Sequence, residues 1–359
     1  MLTHTLMPRK SLLLASVLTL FANVACGSRN MSFDLLSESA SFNQSAAEVN
    51  GKIDILWVID NSGSMDTSQQ ALAANFQRFI SKFQQNGFDF QIAVTTSEAY
   101  KDDFTPALGL AVYRQGTYVN TAGQTVTAPM VLTKNTPDLE KAFIANIVRG
   151  INGSGDERVF SSMHAALVNT ANLATGFPRK DAYLSVIMMS DEDDFSWNGT
   201  TNKEYLYDDP ALYTLASYVS FLDGMTGSTA TNRNYNVNSI AVLDETCRMA
   251  LGGGTRKIAV RQNGLATATG GILGSLCADF GTTLSSISNK IIELSTQFYM
   301  NRTPAPGSLK VFVGGVQVPV DATNGYTYNS TNNSITFHGT SVPAAGASIT
   351  VSYTPTELR

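Results

Sequence analysis

The chain has 359 residues, 43% of them hydrophobic and only 15% charged, with a formal net charge of −5. That balance belongs to a packed globular protein, long enough for one large domain and a small one, and it excludes a disordered chain. The acidic sign argues against a surface built to hold nucleic-acid phosphates, so no nucleic-acid partner is expected. Lys is scarce while Thr, Ser, Asn and Gly abound, which suits a protein working outside the cytoplasm.

The N-terminus reads as an export signal. Arg9 and Lys10 form a positive region, and Ser11 to Ala22 is apolar yet too short to span a bilayer. The run closes on Asn23-Val24-Ala25-Cys26-Gly27. A small residue before Cys resembles a bacterial lipoprotein signal, which implies that residues 1–25 are a signal peptide and that Cys26 is lipidated. Asn23 departs from that motif, where Leu is usual; the alternative is secretion without lipid. Gly27, in place of Asp, leans towards an outer-membrane lipoprotein of the bacterial envelope. Residues 26–50 are Ser-, Asn- and Ala-rich and are expected to be a flexible tether with a reach of roughly 25–30 Å.

From Lys52 to about Arg302, apolar runs of strand and helix type alternate, as in a parallel sheet covered by helices. Ile53 to Ile59 is a buried-strand run. Leu72, Phe76, Phe79, Ile80 and Phe83 recur at helical spacing, and Phe88, Phe90, Ile92 and Val94 alternate as a strand. Residues 105–133 read as a β-rich insertion. Thr136-Pro137-Asp138 is expected to cap a helix carrying Leu139, Phe143 and Ile147, and Phe160, Met163 and Leu167 mark another. Tyr183 to Met189 is a second buried strand. Asp209-Pro210 is expected to open a helix with Leu212, Leu215, Val219 and Leu222 on one side, before a strand from Val237 to Leu243.

Phe280, Leu284, Ile287, Ile291, Leu294 and Phe298 fall at steps of four and three, giving a closing helix. Arg302 to Gly307 is a Pro- and Gly-bearing linker. Beyond it the period changes to two: Leu309, Val311 and Val313, a Gly314-Gly315 turn, then Val316, Val318 and Val320. The expected domains are therefore 51–301, α/β, and 302–359, a small antiparallel β-sandwich-like module. At this size the module is marginal alone and is expected to pack on the larger domain or on a partner.

Asp60-Asn61-Ser62-Gly63-Ser64-Met65 follows the first buried strand directly. An Asp with Ser two and four residues on places three oxygen ligands on one tight turn, with Gly63 expected to let the two hydroxyls converge. One carboxylate and two neutral hydroxyls suit a hard, oxygen-seeking ion such as Mg2+ and leave it short of negative charge, so that a carboxylate from another protein can fill an open position.

This D-x-S-x-S pattern resembles the metal-ion-dependent adhesion site (MIDAS) of von Willebrand factor type A domains, a Rossmann-like α/β family with a central, mostly parallel sheet flanked by helices. The resemblance implies two further segments. Ile187-Met188-Met189-Ser190-Asp191-Glu192-Asp193-Asp194 supplies an Asp at the end of the central strand, so Asp191 takes the role of the second carboxylate. Glu192, Asp193 and Asp194 are expected to be solvated or hydrogen-bonded loop residues, with a neighbouring Ca2+ site the alternative. The loop hydroxyl, Thr in most of the family, falls in Asn152-Gly153-Ser154-Gly155-Asp156-Glu157-Arg158, where Ser154 is the candidate and Asp156 the alternative. The short helix and glycine turn over Leu265–Gly271 resemble those before the family's last strand.

Three Cys are present, at 26, 247 and 277. With Cys26 lipidated, Cys247 and Cys277 can form one disulfide in an oxidising compartment, contributing on the order of 3–4 kcal/mol; two buried free thiols are the alternative. The family's strand order implies that both lie near the metal face.

The implied function is adhesion or surface recognition: Mg2+ or Mn2+ held by Asp60, Ser62, Ser64, Ser154 and Asp191 binds a protein ligand through its Asp or Glu carboxylate, with the membrane reached through Cys26. A structural component of an envelope complex with a fold-stabilising metal is the second reading, and a metal-dependent hydrolase the third. The chain is expected not to be an enzyme. Its three His are His4, His164 and His338, and no H-E-x-x-H or G-x-S-x-G motif exists.

Overall fold

A computed structural model describes residues 42–356, apart from 149, 151, 204, 205 and 255. The expected signal peptide, Cys26 and the first part of the expected tether lie outside the described residues. The tether expectation fails over its described part. Phe42–Glu48 is a strand, β1, paired antiparallel with the chain's last strand, Ser348–Tyr353. Its sequence carries no alternating apolar pattern; it is a strand because a sheet edge offers it hydrogen bonds.

The larger layered unit then follows the expected alternation. It comprises β2 (Lys52–Ile59), a 3-10 turn over Gly63–Met65, α1 (Asp66–Gln85) and β3 (Asp89–Thr96). The β-rich insertion yields a hairpin, β4 (Thr117–Val119) and β5 (Thr125–Thr127), and then β6 (Val131–Thr133). Helices α2 (Leu139–Ile147), α3 (Val159–Val168) and α4 (Thr170–Leu173) lead to β7 (Tyr183–Ser190). Next come α5 (Leu215–Thr226), β8 (Tyr235–Ala241), α6 (Glu245–Ala250), α7 (Val260–Ala268), β9 (Leu273–Ser275) and α8 (Phe280–Ser295). The rest is β: β10 (Phe298–Tyr299), β11 (Lys310–Val313), β12 (Val316–Val318), β13 (Tyr326–Asn329), β14 (Ser334–Phe337) and β15 (Ser348–Tyr353).

The central sheet runs in the order β6-β3-β2-β7-β8-β9. Every pairing is parallel except that of the edge strand β6 with β3. Strands buried on both faces read as continuous apolar runs, which is why β2 and β7 lack alternation. Ile53, Ile55, Trp57 and Ile59 pack with Leu72, Phe76, Phe79, Phe143, Leu284 and Ile287 on one face. Leu56 and Val58 pack with Phe160, Met163, Leu167, Tyr218 and Leu222 on the other. The period-two side-chain direction of one strand therefore feeds two separate helix layers.

Three helix ends differ from expectation for local reasons. Leu212 precedes α5, because Thr214 caps that helix by accepting from Ser217 N (3.2 Å). Asp138 sits at φ 49° and its carboxylate accepts from Thr121 N instead of capping α2. α8 stops at Ser295, and Phe298 leaves it to pair with Ile335 in β10.

The β module is built of two sheets, β1-β15-β11-β12 and β10-β14-β13. Between them Val311, Val318, Tyr326, Ile335, Phe337, Ile349, Val351 and Tyr353 form a core with Phe298. The module is therefore wider than 302–359: it recruits β1 from before the α/β unit and β10 from its end. Both ends of that unit are tied into one small core. Among the described residues no helix is long and apolar enough to cross a membrane.

At the end of the sheet where β2 begins, Asp54 is fully buried and meets Arg179, with Nη2 2.7 Å from Oδ1. Arg179 also reaches Asp89 Oδ2 at 2.6 Å. Burial raises the Asp54 pKa although the Arg179 hydrogen bonds oppose it. Removing Arg179 would strand a carboxylate inside the sheet. Arg179→Met is expected to lower unfolding stability by about 3–5 kcal/mol in chemical denaturation, several times the cost of a surface pair.

Candidate metal centre

Chain order places the two acidic loops side by side. From β2 the chain moves to β3 and β6 on one side, then crosses to β7, β8 and β9 on the other. The order thus reverses between β2 and β7, and open α/β sheets offer their ligand crevice at the carboxyl ends of strands flanking such a point. Ile59 is in register with Met189, and Asp60 N continues the ladder to Met189 O at 2.9 Å. Asp60 and Asp191 leave those two strands.

The D-x-S-x-S turn and Asp191 form one connected set. Asp60 is buried; Ser62 N donates to its Oδ1 (2.7 Å) and Ser190 Oγ to its Oδ2 (2.6 Å). Ser62 Oγ and Ser64 Oγ lie 3.1 Å apart, and Ser64 Oγ donates to Asp191 Oδ1 at 2.9 Å. The two hydroxyls converge as expected, but Gly63 does not take a left-handed conformation to achieve it. The glycine that matters is Gly153, whose Cβ, if present, would fall 2.6 Å from Asn61 O. Its absence lets Gly153 N donate to that carbonyl at 2.8 Å and brings the 152–158 loop against the turn. Gln69 of α1 straps both loops, donating to Asp60 O (3.0 Å) and Gly150 O (3.2 Å).

Within that loop the candidates separate. Ser154 N donates to Glu98 Oε1 (3.0 Å), and Ser154 Oγ is buried without a hydrogen-bond partner. Asp156 is engaged elsewhere: it holds the buried Arg158 with both oxygens (Nη2 2.7 Å, Nε 3.1 Å) and accepts from the Tyr100 hydroxyl at 3.0 Å. Glu157, which sequence reasoning did not single out, is only 2% exposed, and neither of its carboxylate oxygens accepts a hydrogen bond. The one local hint was the Asp156–Arg158 pair, which leaves Glu157 between them without a charge partner.

Of the other loop acids, Glu192, Asp193 and Asp194 are all buried, and Asp193 and Asp194 are hydrogen-bonded at helix starts. Asp193 accepts from Arg261 N (2.9 Å) and Gln262 N (3.0 Å) at the start of α7. Asp194 accepts from Phe160 N (3.0 Å) at the start of α3 and pairs with Arg261. Ser190 and Arg256 were also missed. Arg256 Nε lies 3.1 Å from Asp191 Oδ2, an ion pair whose angle falls short of a hydrogen bond. Nothing local in the Gly252-Gly253-Gly254 segment pointed there. Cys247 and Cys277 are bonded, with Cα atoms 5.6 Å apart, stapling α6, which follows β8, to the segment after β9 at the same end of the sheet.

The electrostatics fit a cation. Burial, then the Asp191 charge, pushes Asp60 up to about 6, against hydrogen bonds from Ser190 and Ser62. Burial also raises Asp191, with Ser64 and Arg256 opposing. Burial and the Asp60 charge lift Glu157 well above the usual range. Burial alone would raise Glu98, but bonds from Lys101, Asn61 and Ser154 outweigh it and hold it below its ordinary value. The donors are all hard oxygens, as Mg2+ or Mn2+ requires. Among the described residues no three His, Cys, Asp or Glu side chains converge as a closed cage, so hydroxyls and water would make up the set.

No protein-family model matches the chain, and no curated protein matches it in sequence. Among solved structures it is similar to proximal thread matrix protein 1 of the mussel byssus, at 13% identity over 72% of this chain and 51% of that one, TM-score 0.35. Another structure of that protein is described as having a zinc-occupied MIDAS motif. It is similar also to the pilus adhesin SpaC of Lactobacillus rhamnosus GG (13%, 87% of this chain, 40% of that, TM-score 0.37) and to the pilus adhesin RrgA of Streptococcus pneumoniae (9%, 87%, 58%, TM-score 0.32). The chain spans about half the length of these structures. Likeness this distant carries no functional argument.

A carboxyl group whose folded pKa is raised keeps a proton that the unfolded chain has released, so it stabilises the fold at low pH and the benefit is lost as pH rises through the folded value. Metal-free protein should therefore melt higher at about pH 5 than at about pH 7.5, the benefit being lost as pH rises through about 6. Differential scanning calorimetry of Asp60→Asn should show a smaller rise.

Proposed function

We propose that the chain is an exported, lipid-anchored bacterial envelope protein of the von Willebrand factor type A kind, which recognises a protein ligand through a divalent metal. Asp60, Ser62, Ser64 and Asp191 would hold Mg2+ or Mn2+, with Ser154 Oγ from the adjoining loop. The observation that carries this reading is the connected face of oxygen donors where the strand order reverses, with Ser64 Oγ joining Ser62 Oγ to Asp191 Oδ1. The ion, when bound, offers an electrophilic contact to an Asp or Glu carboxylate of the partner, stronger than a surface salt bridge because water is excluded.

The residues of the chain orient that contact. Ser190 and the Ser62 N–H fix the Asp60 carboxylate, and Gln69 and Gly153 fix the loops that carry it. Because these loops are tied by their own hydrogen bonds, recognition is favoured over a metal whose task is to hold the fold. Both Ser hydroxyls are engaged with each other and with Asp191, as ligands and not as nucleophiles. Neither His164, on α3, nor His338, in the β module and paired with Glu293 of α8, is a base for them.

Calorimetric titration of Mn2+ or Mg2+ into the full chain tests the reading. Saturable binding of one ion, absent in an Asp60→Ala variant that stays folded, is the expected result. A variant that binds no metal but also loses much of its metal-free melting temperature would favour the fold-stabilising role.

A further inference from the structure

Glu157 is a buried acid with no task inside the fold. It is 2% exposed, and neither carboxylate oxygen accepts a hydrogen bond. Ser97 is the one neighbouring hydroxyl that acts to lower the Glu157 pKa, and its Oγ donates to Asn61 Oδ1 at 3.4 Å. The acids that hold the neighbouring loops have donors. Asp60 has Ser62 and Ser190, Asp191 has Ser64, Glu98 has Asn61 and the Ser154 N–H, Asp156 has Arg158, and Asp193 and Asp194 cap helices. A buried carboxylate without donors is costly to the fold. Folds keep such a group where something outside the chain supplies the missing donors.

Glu157 follows Gly153 and Ser154 on the loop pressed against the D-x-S-x-S turn, and Asp60 is the charge that acts on it most strongly. Asp60, Asp191 and Glu157 do not close into a three-acid cage. A small divalent ion keeps several of its waters, and those waters are strong, polarised donors. We infer that Glu157 is the outer-sphere anchor of the metal, accepting hydrogen bonds from the ion's bound water and so completing on this loop what Ser154 begins. This rests on the metal reading above. Glu157 adds a third negative charge close to the ion without taking a coordination position from a partner carboxylate. Arg256, beside Asp191, supplies the compensating positive charge.

The consequence separates a metal anchor from a structural residue, because the two roles move stability in opposite directions. Glu157→Gln should leave the metal-free protein as stable as wild type or more so, since it replaces a buried acid that lacks a hydrogen-bond partner with a neutral group of the same shape. The same variant should bind Mn2+ at least about fivefold more weakly, the loss of a charge-assisted hydrogen bond, and gain less melting temperature from added Mn2+. Calorimetric titration and thermal melts of wild type, Glu157→Gln and Asp60→Ala, with Mn2+ and without, measure all of this. Equal Mn2+ affinity in wild type and Glu157→Gln, or a metal-free Glu157→Gln that melts well below wild type, overturns the assignment. Absence of binding in wild type itself would instead sink the metal reading on which it stands.

Discussion

The burial of several acids at one end of the sheet is the constraint around which the loops there are arranged. Asp60 and Asp191 leave adjacent strands in register, and Glu157 joins them from a third loop. Their folded pKa values are all raised, burial being the largest cause. Around them the chain spends its polar groups on positioning: Ser190 and Ser62 on Asp60, Ser64 and Arg256 on Asp191, Gln69 on the backbone of two loops. Such a set costs stability unless a cation completes it.

The scaffold below carries that cost. Apolar side chains fill both faces of β2 and β7, so the strand ends that present the acids are among the most deeply buried segments. At the opposite end Arg179 balances Asp54 and Asp89 within the chain itself. One end of the sheet is thus electrostatically closed and the other open. The disulfide between Cys247 and Cys277 and the caps made by Asp193 and Asp194 stiffen the open end. The β module ties β1 and β10 into one core at the ends of the α/β unit.

Much of this was legible in the sequence because it is local. Continuous apolar runs marked β2 and β7, and the D-x-S-x-S pattern and the Asp191 run sit directly at their ends. What was not legible depends on distant partners. Phe42–Glu48 has no strand pattern of its own and becomes one only against β15. Phe298 fitted the helical period of α8, yet Ile335 draws it into a sheet. Asp193 and Asp194 read only as solvated or hydrogen-bonded loop residues, because the N–H groups they cap lie far along the chain. Arg256 carries no local signal, and Glu157 only its place between the paired Asp156 and Arg158, since burial and the lack of a partner are properties of the folded chain.

The central claim is that these loops hold a divalent ion, and a crystal structure grown with Mn2+ and recorded at a wavelength where manganese scatters anomalously tests it most directly. One anomalous peak among Asp60, Ser62, Ser64 and Asp191 is the expected result. A map with no peak there, in crystals of folded protein at saturating Mn2+, would contradict it.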